Sequence, residues 1–95
     1  MKKFIILIPV YNDWKSVSKL LNEIDLNIVD WNAEVSVLII NDGSIDKKPS
    51  MVSNFKKIKS VKVINMKKNQ GHPRCFVAGL KFIIERENFD YVIPM

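Results

Sequence analysis

Two acidic residues stand where apolar runs change abruptly into polar, turn-forming sequence. Asp13 closes residues 8–13 (IPVYND), and Asp42 lies within residues 39–44 (IINDGS). A carboxylate only accepts hydrogen bonds, so it suits the ribose hydroxyls and the ring N–H of a nucleotide. The carboxyl ends of strands in an open parallel sheet border the ligand crevice, so both acids are predicted to face one pocket.

Each residue near these acids also has a structural interpretation. Tyr11 could lie flat against a planar base, or it could pack at the rim against the helix that follows. Asp13 could only cap that helix, and Asp42, which precedes Gly43, could only form a turn. The placement of both acids at the ends of neighbouring strands favours a ligand site, in which Gly43 would let the backbone approach closely.

Phosphate groups would have to be bound elsewhere in the chain. The sequence has neither the glycine-rich loop of dehydrogenases after its first strand nor the phosphate loop of nucleotide triphosphatases. Residues 69–71 (NQG) precede a predicted helix and are followed by His72 and Arg74, so they are a candidate anion-binding terminus. We interpret His72 as a loop or cap residue, because no second metal ligand lies at a usable spacing.

An alternation of strands and helices must position these residues. The first two strands, residues 3–9 and 35–41, are apolar at nearly every position, which is typical of parallel strands covered on both faces. Further strands are predicted at residues 61–66, near a sheet edge, and at residues 90–95. The pattern predicts a three-layer α/β domain over residues 1–95, with parallel strands in the order 3-2-1-4.

Helices are predicted from apolar residues that recur every three or four positions. In the first helix these are Trp14, Val17, Leu20, Leu21, Ile24 and Ile28. Pro73 opens another helix, which continues to about Glu87, and its predicted apolar stripe is Phe76, Leu80, Ile83 and Ile84. A short helix could also begin at Pro49.

Composition narrows the class of protein. The chain has 95 residues and a net charge of +5, and its lysines between positions 47 and 68 lack the interleaved aromatic residues of a single-strand nucleic-acid groove. This argues against nucleic acid as a partner. Cys75 is the only cysteine, which fits a reducing compartment, and we interpret it as a small buried hydrophobe and not as a nucleophile.

Four segments together resemble the inverting glycosyltransferases of family 2, whose GT-A fold begins with a nucleotide-binding half. They are residues 8–13, residues 39–46, residues 69–71 with 78–80, and residues 90–95. The resemblance implies binding of the nucleotide part of a nucleotide-diphosphate sugar. By the same resemblance the nucleotide-binding residues are Pro9, Tyr11, Asp13, Asp42, Gly43, Asn69 and Gly71.

The chain departs from the family pattern at several points. Pro73 and Arg74 stand where small residues are common, and Val77 stands where several members have arginine. The Asp-x-Asp motif that binds Mg or Mn in full-length relatives is expected directly after Met95. We therefore expect no catalytic residue and no metal ligand in this chain, and no sugar transfer by the chain alone.

Two functions follow from this interpretation. The first is a glycosyltransferase fragment in the cytoplasm. The full-length protein could also contact the cytoplasmic surface of a membrane. The alternative is a non-catalytic nucleotide-binding or regulatory module that acts with another chain. If the chain is such a fragment, its last strand has an open edge, so self-association through residues 90–95 is expected.

Overall fold

The structure, a computed structural model, describes residues 1–46 and 55–95. Within these ranges the chain forms four strands and two helices in nearly strict alternation. They are β1 (Lys2–Val10), α1 (Trp14–Asn27), β2 (Ala33–Asn41), β3 (Ile58–Asn65), α2 (His72–Arg86) and β4 (Tyr91–Pro94). The helix predicted to begin at Pro49 lies largely outside the described residues.

The strands form one parallel sheet in the order β3-β2-β1-β4. In its register, Ile6 of β1 lies opposite Val37 of β2, and Phe4 lies opposite Tyr91 of β4. The predicted strand order and the edge position of β3 are therefore confirmed. Because all strands point the same way, residues 11–13, 42–44 and 66–71 meet at the carboxyl edge of the sheet.

The helices cover opposite faces of this sheet, so the predicted three layers are confirmed. On one face, Ile6 and Ile39 pack in a cluster with residues of α1 such as Leu21. On the other face, Leu7 and Ile40 pack in a cluster with residues of α2 that includes Ile83. Alternate residues of β1 and β2 thus enter different cores, which explains why both strands are almost uniformly apolar.

The buried face of α2 differs from the predicted stripe. Leu80 and Ile84 are 40% and 71% exposed, whereas Cys75, Gly79 and Ile83 are buried. A Cβ atom at Gly79 would lie 2.5 Å from Cδ1 of Leu7, so the missing side chain lets α2 approach the sheet closely. The prediction was wrong for Leu80 and Ile84 because a hydrophobic stripe gives no weight to a glycine in the contact.

A buried carboxylate joins α1 to the start of β3. Asp25, which is 9% exposed, accepts hydrogen bonds from the backbone amides of Lys56 and Lys57 at 2.8 Å each and of Ile58 at 2.9 Å. Burial alone would raise the pKa of Asp25, but the three amides outweigh it and lower the pKa. Asp25 is therefore ionised, and its carboxylate stabilises the backbone at the amino end of β3.

The two edges of the sheet differ in chemistry. Strand β3 carries exposed lysines, and Nζ of Lys59 forms an ion pair with Glu34 at 2.9 Å. Strand β4 (YVIP) carries no charged residue, and among the described residues it pairs only with β1. Charged side chains discourage strand addition at an edge, so the edge at β4 is the less protected one. Self-association through β4 stays a prediction.

Candidate functional site

An open groove of about 380 Å³ lies at the carboxyl edge of the sheet. The end of β1, the first turns of α1 and the beginning of α2 form its walls. The residues that line it are Ile8, Pro9, Val10, Tyr11, Asp13, Ser16, Val17, Leu20, His72 and Met95. Three of the predicted site residues, Pro9, Tyr11 and Asp13, therefore share one groove.

Asp13 has a structural role as well as a place in the groove. Its Oδ1 accepts a hydrogen bond from the amide of Ser16 at 3.3 Å, so it is the N-cap of α1, as the structural interpretation predicted. The carboxylate remains exposed at the rim, and Tyr11 beside it is 40% exposed. Both side chains are accessible to a ligand in the groove.

Asp42 is not at the surface of the groove. It is 0% exposed, and its Oδ1 accepts a hydrogen bond from the amide of Gln70 at 2.8 Å. Its Oδ2 accepts hydrogen bonds from the amide of Gly71 at 3.0 Å and from Nδ2 of Asn69 at 3.1 Å. The carboxylate thus binds residues 69–71, which we call the Asn69–Gly71 loop.

These contacts determine the charge state of Asp42. Burial alone would raise its pKa, but hydrogen bonds from the amide of Gln70, the thiol of Cys75 and the amide of Gly71 together lower the pKa. A carboxylate has about four acceptor positions, and the amides of Gln70 and Gly71 and Nδ2 of Asn69 occupy three of them. A direct contact between Asp42 and a base would have to replace such donors, and it stays a prediction.

The two predicted site glycines serve the chain's own geometry. Gly43 has φ of +70°, and a Cβ atom there would lie 2.5 Å from the backbone nitrogen of Asn69. Its close neighbour is therefore the backbone of residues 68–69, whereas sequence reasoning expected a ligand. Gly71 has φ of +92° and is the N-cap residue of α2, without a side-chain cap.

Cys75 packs directly behind Asp42. It is 0% exposed, and burial together with its hydrogen bond to the Asp42 carboxylate raises the pKa of the thiol to about 11. A thiol that stays protonated at neutral pH is a poor nucleophile. This agrees with the interpretation of Cys75 as a buried structural residue, although its proximity to Asp42 had no signal in the sequence.

Asn12 links the ends of β1 and β2, a role that sequence reasoning did not assign to it. Its Oδ1 accepts hydrogen bonds from the amides of Ile45 at 2.8 Å and Asp46 at 3.0 Å. Its own amide donates to Oγ of Ser44 at 2.8 Å. Its φ is +63°, and asparagine is enriched in this left-handed region, so an asparagine directly after an apolar strand was the available sequence signal.

We expect acidification to destabilise the protein through Asp25 and Asp42. Both have a pKa below the ordinary value of 3.8, so in the folded state each holds its proton less tightly than in the unfolded state. Their stabilisation is therefore complete above pH 3.8 and is lost as the pH falls through the folded-state values.

Urea unfolding measured at neutral pH and at a series of acidic pH values tests this prediction. The variants Asp25→Asn and Asp42→Asn should each show a shallower decline in the free energy of unfolding than the wild type. Asp46→Asn, which changes an exposed carboxylate, is the matched control and should keep the wild-type slope. Identical slopes in all four proteins would contradict the assignment.

The described residues contain neither a cluster of metal ligands nor a helix that could span a membrane. Among residues 1–46 and 55–95, no cluster of three or more His, Cys, Asp or Glu side chains is placed to hold a metal ion. In the same part of the chain no helix has the length and apolar character needed to cross a membrane. The metal predicted for full-length relatives stays a prediction.

Comparisons with known proteins add information on ancestry. The sequence model described as Glycosyl transferase family 2 matches residues 5–93. An uncharacterized protein of Methanocaldococcus jannaschii is 28% identical over 91 residues, which are 94% of this chain and 37% of that protein. No solved structure gives a significant match.

Two further relatives have functional names. The minor teichoic acid biosynthesis protein GgaA of Bacillus subtilis is 25% identical over 88 residues, which are 90% of this chain and 20% of that protein. An undecaprenyl-phosphate 4-deoxy-4-formamido-L-arabinose transferase of Klebsiella pneumoniae is 27% identical over 85 residues, or 87% and 26% respectively. The chain thus spans between a fifth and two fifths of the length of these relatives.

Proposed function

Because this chain belongs to glycosyl transferase family 2, we propose that it binds the nucleotide part of a nucleotide-diphosphate sugar. Its parallel sheet and two helices correspond to the nucleotide-binding half of a GT-A fold. In the longer protein that the relatives suggest, the donor sugar would pass to an acceptor hydroxyl with inversion. The observation that carries the proposal is the groove in which Pro9, Tyr11 and Asp13 meet.

The chemistry of the groove suits a nucleoside. Tyr11 offers an aromatic face against which a planar base can stack, and Pro9 adds an apolar wall beside it. The exposed carboxylate of Asp13 can accept hydrogen bonds from ribose hydroxyls, because its contact with Ser16 uses one oxygen only. A base and its ribose would thus find complementary groups on adjacent residues.

The beginning of α2 suits the diphosphate. Its N-cap residue, Gly71, supplies no side-chain acceptor, and His72 of the first turn lines the groove. Amide groups at a helix N-terminus and the helix dipole together favour an anion. Residues Asn69 and Gly71 would then act by holding this terminus in place through Asp42.

Catalysis is proposed for the longer protein only. A divalent Mg or Mn ion would neutralise the diphosphate as it leaves, and a carboxylate base would deprotonate the acceptor hydroxyl. Neither the metal ligands nor this base is assigned to a residue of the present chain. A cytoplasmic location, with or without contact with the membrane surface, belongs to the same proposal.

We expect uridine or guanosine diphosphate to bind the groove, with Tyr11 as a main contact. Stacking of one base on an aromatic side chain is worth about 1–3 kcal/mol, so Tyr11→Ala should weaken binding by a factor between about 5 and about 150. Amide chemical shifts followed during titration with each nucleotide give both the affinity and the location. The shifts should concentrate at residues 9–16 and 69–74.

Tyr91→Ala is the matched control for this titration. Tyr91 is 52% exposed on β4 and stacks on Phe4 with ring centroids 5.1 Å apart, near the opposite edge of the sheet. Its loss should reduce stability and leave the affinity unchanged. If neither nucleotide shifts the groove resonances, or if Tyr11→Ala binds as tightly as the wild type, the proposed function is wrong.

A further inference from the structure

Asn12 lies between two residues of the proposed nucleotide groove but is not among the residues that line it. Tyr11 precedes it and Asp13 follows it, and both line the groove. Asn12 itself is half-buried and has φ of +63°, so the chain turns sharply between its two neighbours. The directions of Tyr11 and Asp13 therefore depend on the backbone conformation at Asn12.

Three hydrogen bonds fix this conformation from outside the turn. Oδ1 of Asn12 accepts the amides of Ile45 and Asp46, and the amide of Asn12 donates to Oγ of Ser44. Residues 44–46 lie 32 to 34 positions further along the chain, directly after β2. The side chain of Asn12 thus ties the loop after β2 to the turn after β1.

The connection continues across the carboxyl edge of the sheet. The amide of Ser44 donates to Oδ1 of Asn41 at 3.1 Å, and Nδ2 of Asn41 donates to Oδ1 of Asn65 at 3.0 Å. One chain of hydrogen bonds therefore links the ends of β1, β2 and β3. Asn12 is the member of this chain that stands next to the groove.

We propose that Asn12 is a positioning residue of the nucleotide site, which it orders through residues 44–46 without touching the ligand. The proposal rests on the proposed function, because it concerns the same groove. Without its Oδ1 the two loop amides lose their acceptor, and the turn samples other conformations. A ligand then binds only the fraction of molecules in which Tyr11 and Asp13 are correctly placed, and the apparent affinity falls by that fraction.

Two substitutions at Asn12 separate its side chain from its backbone. Glycine adopts φ of +63° without strain and keeps the amide donor to Ser44, so Asn12→Gly removes the side-chain acceptor while the observed backbone conformation stays accessible. Aspartate also tolerates this conformation and can accept both loop amides. Asn12→Gly should raise the dissociation constant for uridine or guanosine diphosphate by about tenfold, as expected if the ordered fraction falls to about a tenth.

Asn12→Asp should bind within about threefold of the wild type in about 0.15 M salt, where screening limits the effect of the added charge. Amide shifts of residues 45 and 46 should move strongly in Asn12→Gly and little in Asn12→Asp. Ser44→Ala removes Oγ, which accepts the hydrogen bond from the amide of Asn12, and it should also weaken nucleotide binding. It provides the same test if Asn12→Gly does not fold.

Asp25→Asn is the control for a purely structural effect. Asp25 also accepts backbone amides from a distant segment, but it does so at the amino end of β3, away from the groove. Its substitution should lower stability and leave nucleotide affinity unchanged. Equal affinity in the wild type, Asn12→Gly and Ser44→Ala would overturn the role of Asn12 and leave the proposed function intact. A wild type that binds neither nucleotide would overturn both.

Discussion

Replacing Asp42 with alanine is expected to lower the free energy of unfolding by about 3 kcal/mol or more, because each buried donor left without an acceptor costs about 1–3 kcal/mol. The amides of Gln70 and Gly71 and the side chain of Asn69 would lose their acceptor together. The loop would either expose these groups to water or leave them buried without partners. Chemical denaturation followed by circular dichroism measures the change.

Two variants sharpen this prediction. Asp46→Ala removes an exposed carboxylate a few residues away and should change stability by no more than about 0.5 kcal/mol. Asp42→Asn keeps the shape and one acceptor oxygen, so its effect should lie between those of Asp42→Ala and the wild type. If Asp42→Ala is as stable as Asp46→Ala, Asp42 does not hold the Asn69–Gly71 loop as described.

Gly43→Ala is expected to destabilise the protein by about 3 kcal/mol or more, because conformational strain and a steric clash act together. The left-handed φ of +70° already disfavours any side chain. The new Cβ would also lie 2.6 Å from the carbonyl carbon of Lys68 and 2.5 Å from the nitrogen of Asn69, and backbone atoms cannot rotate away. The melting temperature and the denaturation midpoint should both fall.

Gly71→Ala is the matched comparison, because Gly71 has a positive φ without the crowding. The nearest atom to a Cβ there is Cδ of Pro73 at 3.9 Å, so strain alone should cost about 1–3 kcal/mol. Gly43→Asn separates the two effects in another way, since asparagine accepts left-handed backbone but still carries a Cβ. Recovery of full stability in Gly43→Asn would show that the close approach to residues 68–69 is unimportant.

The strands could be predicted because their signal is local. Every residue from Ile5 to Ile8 is buried, and so is every residue from Val37 to Ile40. Such continuous apolar runs identify buried parallel strands directly. Helix α2 was predicted at the right place, but two residues of its predicted buried face, Leu80 and Ile84, are exposed. Its contact depends on Gly79, whose contribution is the absence of a side chain, and hydropathy cannot register that.

The site was predicted in part for a related reason. Pro9, Tyr11 and Asp13 lie within five residues of one another, and their shared groove follows from where β1 ends. The inward direction of Asp42 depends on donors 27 to 29 residues away, and no local pattern reports such contacts. The same holds for Asn12, whose partners lie beyond the whole of α1 and β2.

The position of β1 inside the sheet has a consequence during synthesis on the ribosome. β1 emerges before the other three described strands, yet among these strands β4 alone pairs with one of its sides, and the amide of Lys3 donates to Asp90, 87 residues later. At usual elongation rates this interval is on the order of ten seconds. During this interval β1 presents an unpaired apolar edge to other extended segments. Misassembly would therefore begin with pairing at this edge before β4 has been synthesised.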